Sequence, residues 1–131
     1  MIDVDAMFPV MVASNLEAVK QFYETVFGFK VAFYDSNFYL HLVSPNNIQL
    51  GYLLPNLSNQ PDFLHPIMVS KGYVISFEVK DAALAYSEAK QMNLDIVMAL
   101  KEEEWGQIHF MVQDPAGFNL DIVQHLEPTE H

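Results

Sequence analysis

The stretch "WGQIHFMVQDPAGFNLDIV", residues 105–123, decides how the chain is read. From Gln107 to Gln113 the side chains alternate: Ile108, Phe110 and Val112 share one face of a strand, and Gln107, His109, Met111 and Gln113 share the other. "DPAG", residues 114–117, is turn chemistry, with a proline that presets its backbone angle and a glycine that admits a left-handed one. In the strand that follows, Leu120 and Ile122 fall on one face, Asn119 and Asp121 on the other. The apolar faces suit packing beneath a helix. The mixed faces suit a cavity, and His109 meets Asp121 there only if the turn keeps both on one side.

Working outward, the same half of the chain reads strand, helix, three strands. "YVISFEV" (73–79) is a strand, with Ile75, Phe77 and Val79 opposing Val74, Ser76 and Glu78. "KDAALAYSEAKQMN" (80–93) is a helix capped by Asp81, with Ala85, Ala89 and Met92 along one side. "LDIVMAL", "GQIHFMV" and "FNLDIVQHL" supply the three strands, and "KEEEW" (101–105) reads as a charged loop whose acids could gate a cationic guest. The N-terminal half repeats the order. "MFPVMVA" is a strand; "SNLEAVKQFYETVFG" is a helix capped by Ser14 or Asn15, with Leu16, Val19, Phe22, Tyr23 and Val26 at helical spacing and Gly28 as its stop. "FKVAFY", "NFYLHLV" and "NIQLGYLL" follow, separated by the turn signals "DSN" and "SPNN".

This gives one domain over 1–131, with module one at 1–54, a proline-bearing linker at 55–72, module two at 73–126 and a short tail. One helix covers only one face of a sheet, so each module is expected to need a second. With 51% hydrophobic residues the chain can bury a real core. Its 17 acids against 6 Lys plus Arg give a formal net charge of −11, which repels phosphate backbones and argues against nucleic acid. No cysteine is present, so disulfides and thiolate chemistry are excluded. No apolar run approaches the roughly 20 residues of a membrane helix, and "MIDVDAMFPV" carries acids where a secretory leader needs positive charge. A cytoplasmic protein with no membrane partner is expected. Nucleophile elbows, phosphate loops and dinucleotide fingerprints are absent from the sequence.

The stretches "ASNLEAVKQFYETVFGFKV" and "WGQIHFMVQDPAGFNLDIV", set in the repeated βαβββ order, resemble the vicinal oxygen chelate superfamily of glyoxalase, bleomycin-resistance and extradiol-dioxygenase proteins. The resemblance implies an α+β fold: two tandem βαβββ modules forming a curved mixed sheet around a cavity, with helices outside. It also implies a divalent metal held at four cavity positions, commonly by His, Glu or Gln. Carried onto this chain, those positions fall on Phe8, Gln49, Val74 (or Tyr73 if the alignment slips by one) and Asp121. Phenylalanine and valine cannot ligate, so no metal site is expected. The expectation is a metal-independent, bleomycin-resistance-like protein without cofactor that sequesters a small planar or cationic molecule, as a homodimer like many relatives. Phe8, Gln49, Trp105, His109, Met111 and Asp121 are its candidate ligand-binding residues, with Trp105 either a ring platform or a plug for the sheet end. His109 reads as a general base, a donor to ligand, or a strand histidine satisfied by a neighbour. His41 reads as an ordinary sheet residue, and His65, His125 and His131 show no ligand spacing. The alternatives are a glyoxalase-type lyase, isomerase or dioxygenase using Zn, Ni, Mn or Fe held by Gln49, Asp121 and a ligand from the partner chain, or metal-free acid/base catalysis by His109 and Asp121.

Overall fold

The computed structural model describes residues 1–69 and 71–127; His131, considered above, lies outside them. The described residues form two helices and eight strands in two four-stranded mixed sheets, an α+β arrangement. The chain divides into two compact units, Met1–Val69 and Ser70–His131, and the boundary falls inside the expected linker.

In the first unit, β1 (Val10–Val12), α1 (Leu16–Phe27), β2 (Lys30–Asp35), β3 (Tyr39–Val43) and β4 (Gln49–Leu53) build a sheet in the order β1-β4-β3-β2. Only the β1–β4 pair is parallel. The first strand is shorter than residues 7–13 because Pro9 has no N–H to give the ladder; its carbonyl still accepts from Gly51 N at 2.9 Å. Asn15, not Ser14, caps α1, its side chain accepting from Ala18 N at 3.4 Å. Gly28 ends the helix at φ 67°, a conformation that costs a residue without Cβ little. Leu16, Val19 and Tyr23 of α1 are buried, as are Leu40, Leu42, Leu50 and Tyr52 of the sheet. Inside that core the Tyr52 hydroxyl donates to the Tyr23 hydroxyl at 2.7 Å, which satisfies a polar group that burial would otherwise penalise.

The expected linker is only partly a linker. Residues 55–69 fold back on the first unit: Met68 N donates to Val12 O at 3.1 Å, Asn56 N to His65 O at 3.1 Å, and Gln60 bonds both Leu57 N and Leu54 O. A single 3-10 turn, Asp62–Leu64, interrupts the segment. Its backbone thus finds partners that a prolines-and-loops reading does not supply.

In the second unit, β5 (Ile75–Glu78), α2 (Ala82–Gln91), β6 (Asp95–Glu103), β7 (Gln107–Gln113) and β8 (Asn119–His125) repeat the arrangement in the order β5-β8-β7-β6. Asp81 caps α2 by accepting from Leu84 N at 3.0 Å, and Ala82 N donates to Gln124 Oε1 at 3.0 Å, which ties the helix start to β8. The helix buries Ala82 and Ala89 and lays Tyr86 against Phe110, with ring centroids 5.1 Å apart. Met92, expected on that side, sits at the C-cap and is exposed. The β6 strand runs three residues beyond "LDIVMAL", so Lys101, Glu102 and Glu103 are strand, not loop. Pairing with β7 (Lys101 opposite His109, Glu103 opposite Gln107) overrides the charge run.

The 114–117 turn is held by Asp114, whose Oδ1 accepts from Ala116 N and Phe118 N, both at 2.9 Å, while Gly117 takes φ 90°. Asp114 is buried, so its removal strands two donors. Asp114→Ala is expected to destabilise the fold by about 1–3 kcal/mol, read as a lower urea midpoint, with Asp114→Asn recovering part of the loss.

Candidate functional site

The face of the second sheet that α2 leaves uncovered carries the candidate chemistry. Register sets its geometry. On β7, His109 stands directly opposite Lys101 of β6 and Val123 of β8. Glu103 lies opposite Gln107, and Asp121 opposite Met111, so the two acids flank His109 diagonally from either side. His109 Nδ1 is 2.8 Å from Asp121 Oδ1, and its Nε2 is 2.8 Å from Glu103 Oε2. Lys101 Nζ lies 3.3 Å from Glu103 Oε1, and Ser76 Oγ donates to Asp121 Oδ2 at 3.5 Å.

A neutral imidazole has one N–H and one lone pair. Two carboxylate oxygens at 2.8 Å need two N–H donors, so the ring in this arrangement is an imidazolium. The hydrogen bond to Glu103 raises the His109 pKa above its ordinary value most strongly, against burial that lowers it, with Asp121 adding a further rise. The same bond to His109 is the largest cause that holds Glu103 below the usual carboxylate range. His109 is 6% exposed and Asp121 8%, so solvent reaches little of the pair.

A second polar row crosses the same face. Trp105, 69% exposed, donates from Nε1 to Gln107 Oε1 at 2.9 Å. Gln107 Nε2 donates to His125 Nδ1 at 3.3 Å, which leaves the His125 proton on Nε2, 2.8 Å from Glu78 Oε1. His125, set aside for its lack of ligand spacing, belongs to this row. Parity was the available signal, since 121, 123 and 125 share a face. Glu103 was missed for the reason that hid its strand.

The first unit is built differently at the matching place. Ala13 N donates to Leu53 O at 2.9 Å as β1 leaves for its helix, and Val79 N donates to Val123 O at 2.8 Å as β5 leaves for its own. Two residues back along each partner strand lie Gly51 and Asp121, so Gly51, not Gln49, corresponds to Asp121. By the same count Tyr39, opposite Leu53, corresponds to His109. The phenol covers Gly51, and a Cβ there would run into Tyr39 Oη. Tyr39 Oη lies 2.6 Å from His41 Nδ1, and His41 Nε2 lies 2.7 Å from Gln49 Oε1. An amide oxygen only accepts, so His41 donates from Nε2 and its Nδ1 accepts a hydrogen bond from the Tyr39 hydroxyl. Burial keeps the Tyr39 phenol above its ordinary pKa. Phe8 meets His41 edge-on, centroids 4.8 Å apart. His41 is therefore the centre of a polar chain, not an ordinary sheet residue.

The structure thus brings His109, Met111 and Asp121 together in one unit, with Trp105 on the second row of the same face, and Phe8 and Gln49 around His41 in the other. Ser76, not Val74, is the β5 residue opposite Asp121. Val74 is exposed, and Tyr73 packs its ring on Phe118, its phenol pushed up to about 12 by burial and then by the Asp114 charge. His65 bonds Gln60 O in its loop. The donor set does not fit a divalent metal. Phe8 and Val74 have no donor atom, Gln49 Oε1 is taken by His41, and a cationic ring stands between Glu103 and Asp121. Among the described residues no three His, Asp or Glu side chains could hold a metal ion together.

The model of the Glyoxalase/Bleomycin resistance protein/Dioxygenase superfamily matches residues 7–122. Among solved structures, a lactoylglutathione lyase from Agrobacterium tumefaciens is 18% identical with TM-score 0.74, covering 93% of this chain and 94% of its own. A member of the same superfamily from Sphaerobacter thermophilus is 22% identical with TM-score 0.73, covering 95% and 100%. TioX from Micromonospora sp. ML1 is 16% identical with TM-score 0.69, covering 94% and 100%. At these identities the likeness is one of fold. No curated protein matches the chain. No described helix is long and apolar enough to cross a membrane.

The bridge has a pH signature. The raised His109 pKa contributes stability that is complete below its ordinary value of 6.5 and lost as pH rises through the higher folded value. The lowered Glu103 pKa contributes stability present above its ordinary value of 4.5 and lost as pH falls through the lower folded value. Urea midpoints between pH 3 and 9 are expected to peak between those two ordinary values and decline on both sides. In His109→Gln the alkaline decline shrinks; an unchanged alkaline slope would refute the assignment.

Proposed function

Because the chain belongs to the Glyoxalase/Bleomycin resistance protein/Dioxygenase superfamily, we propose that it binds a small organic molecule without a metal ion, on the polar sheet face of its second unit. The observation that carries this reading is the commitment of both His109 nitrogens to Glu103 and Asp121. A histidine so held offers neither a lone pair to a metal nor a free nitrogen to a substrate proton. What the face does offer is affinity: Met111, the exposed Trp105 ring, and the exposed Glu78 carboxylate. A planar or cationic ligand suits that set, since an indole face attracts cations and stacks on flat rings. The proposed action is sequestration, in which no bond changes, as in bleomycin-resistance-type proteins. We propose a cytoplasmic homodimer, as the resemblance to that group suggests.

Trp105 is the only tryptophan, so its fluorescence reports the site directly. Titration with planar organic cations such as acridinium and quinolinium salts is expected to quench it saturably, with the same affinity in EDTA, and Trp105→Phe weakens binding about tenfold or less, measured by calorimetry. Stoichiometric Mn, Fe, Ni, Co or Zn in protein purified without chelators, lost in Asp121→Ala, would replace this reading with a metal-dependent lyase or dioxygenase. Sedimentation equilibrium is expected to give twice the chain mass; a monomer would remove the dimer.

A further inference from the structure

In the row that carries Trp105, one amide stands between two partners with opposite demands. The indole N–H of Trp105 can only donate, so it takes the Gln107 oxygen at 2.9 Å. Glu78, 2.8 Å from His125 Nε2, only accepts and so keeps the proton of the neutral ring on that nitrogen. His125 Nδ1 is then an acceptor, and the Gln107 NH2 donates to it at 3.3 Å. Register assembles the row, because Gln107 of β7 stands directly opposite His125 of β8. Leu126 N donates to Gly106 O at 2.8 Å, which ties the turn bearing Trp105 to the end of β8. With the backbone held on both sides, any adjustment falls to the side chains. His125 is exposed, so solvent protons reach it directly.

A proton on His125 reverses what it asks of Gln107. Its Nδ1 becomes a donor and faces the amide NH2, donor against donor. Turning the amide over presents Oε1 to His125 and the NH2 to the indole N–H. The bond gained is charge-assisted and roughly twice as strong as the neutral indole–amide bond lost, so the amide follows the histidine and Trp105 loses its acceptor. Glu78 is the charged group bonded to His125 from β5. On β6, Glu103 lies opposite Gln107 but is engaged by His109 and Lys101. Lys80, Glu104 and Glu127 carry the charges of the residues flanking Glu78, Trp105 and His125. We propose that Gln107 is a proton-operated switch on the ligand site: with His125 neutral it holds the Trp105 ring, and with His125 protonated it lets the ring go. The switch rests on the Trp105 site proposed above and adds its regulation. A ligand held near neutral pH is released on acidification.

The first measurement needs no ligand. Trp105 is the only tryptophan, so nitrogen-15 spectra of the full chain carry a single indole N–H resonance. Between pH 8 and pH 5, the range in which histidines take up a proton, that resonance is expected to shift with the same midpoint as the His125 ring signals. The shift is expected to vanish in His125→Gln, which has no ring to protonate. In Gln107→Glu a carboxylate accepts from both neighbours, so the indole keeps its partner and the shift is expected to shrink severalfold. The second measurement uses N-methylquinolinium, whose charge does not change with pH. Wild type is expected to bind it about threefold more weakly at pH 5 than at pH 8, and Gln107→Glu equally well at both. An indole resonance that stays in place while His125 titrates, or that still moves in His125→Gln, would overturn the switch and leave the ligand-binding reading intact. The same pH loss in Gln107→Glu as in wild type would also overturn it. The indole shift without quinolinium binding at either pH would support the switch and overturn the ligand-binding reading.

Discussion

The Asp114 turn sets the register of β7 against β8, and the rest of the second unit depends on that register. A one-residue slip would exchange the faces of a strand, sending Phe110 or Leu120 to the polar side and His109 or Asp121 beneath the helix. Two hydrogen bonds to one carboxylate oxygen, with Gly117 in a left-handed conformation, hold Gln113 opposite Asn119. From there the ladder places Asp121 opposite Met111 and within reach of His109. On the other side, the return at Gly106 (φ 93°) places Glu103 opposite Gln107. The charged bridge is a consequence of two turns.

The two units share an element order and an exit from first strand to helix, yet their uncovered faces use opposite strategies. In the first, a tyrosine lies over a glycine and its hydroxyl hydrogen-bonds a histidine, which bonds an amide. In the second, a histidine at the tyrosine's position lies between two acids and takes on a full charge. Neutral chains of this kind satisfy polar atoms cheaply; charged ones hold protons and respond to pH. Only the second face combines fixed charge with an exposed indole, which is why the proposed site is placed there.

Alternation in residues 107–123 was enough to assign faces to Ile108, Phe110, Leu120 and Ile122, and helical spacing with a capping side chain was enough for α1 and α2. These are local properties, set by backbone period and by donors within one turn of chain. The same locality explains the errors. "KEEE" looks like a loop when only its charges are counted, and becomes strand because β7 supplies a partner for each residue up to Glu103. Gln49 matches the family position in sequence, but the bonds of β1 to β4 put Gly51 where Asp121 stands in the second unit.

By itself, then, the sequence determined the family, the βαβββ order and the faces of the strands. Those follow from residue types and short periods. Only the tertiary structure decided that Glu103 joins His109, that His41 serves Gln49, and that His125 and Trp105 belong to one row. Each of these depends on cross-strand register, which is fixed by turn geometry and pairing between segments distant in the chain, and alternation alone is blind to it.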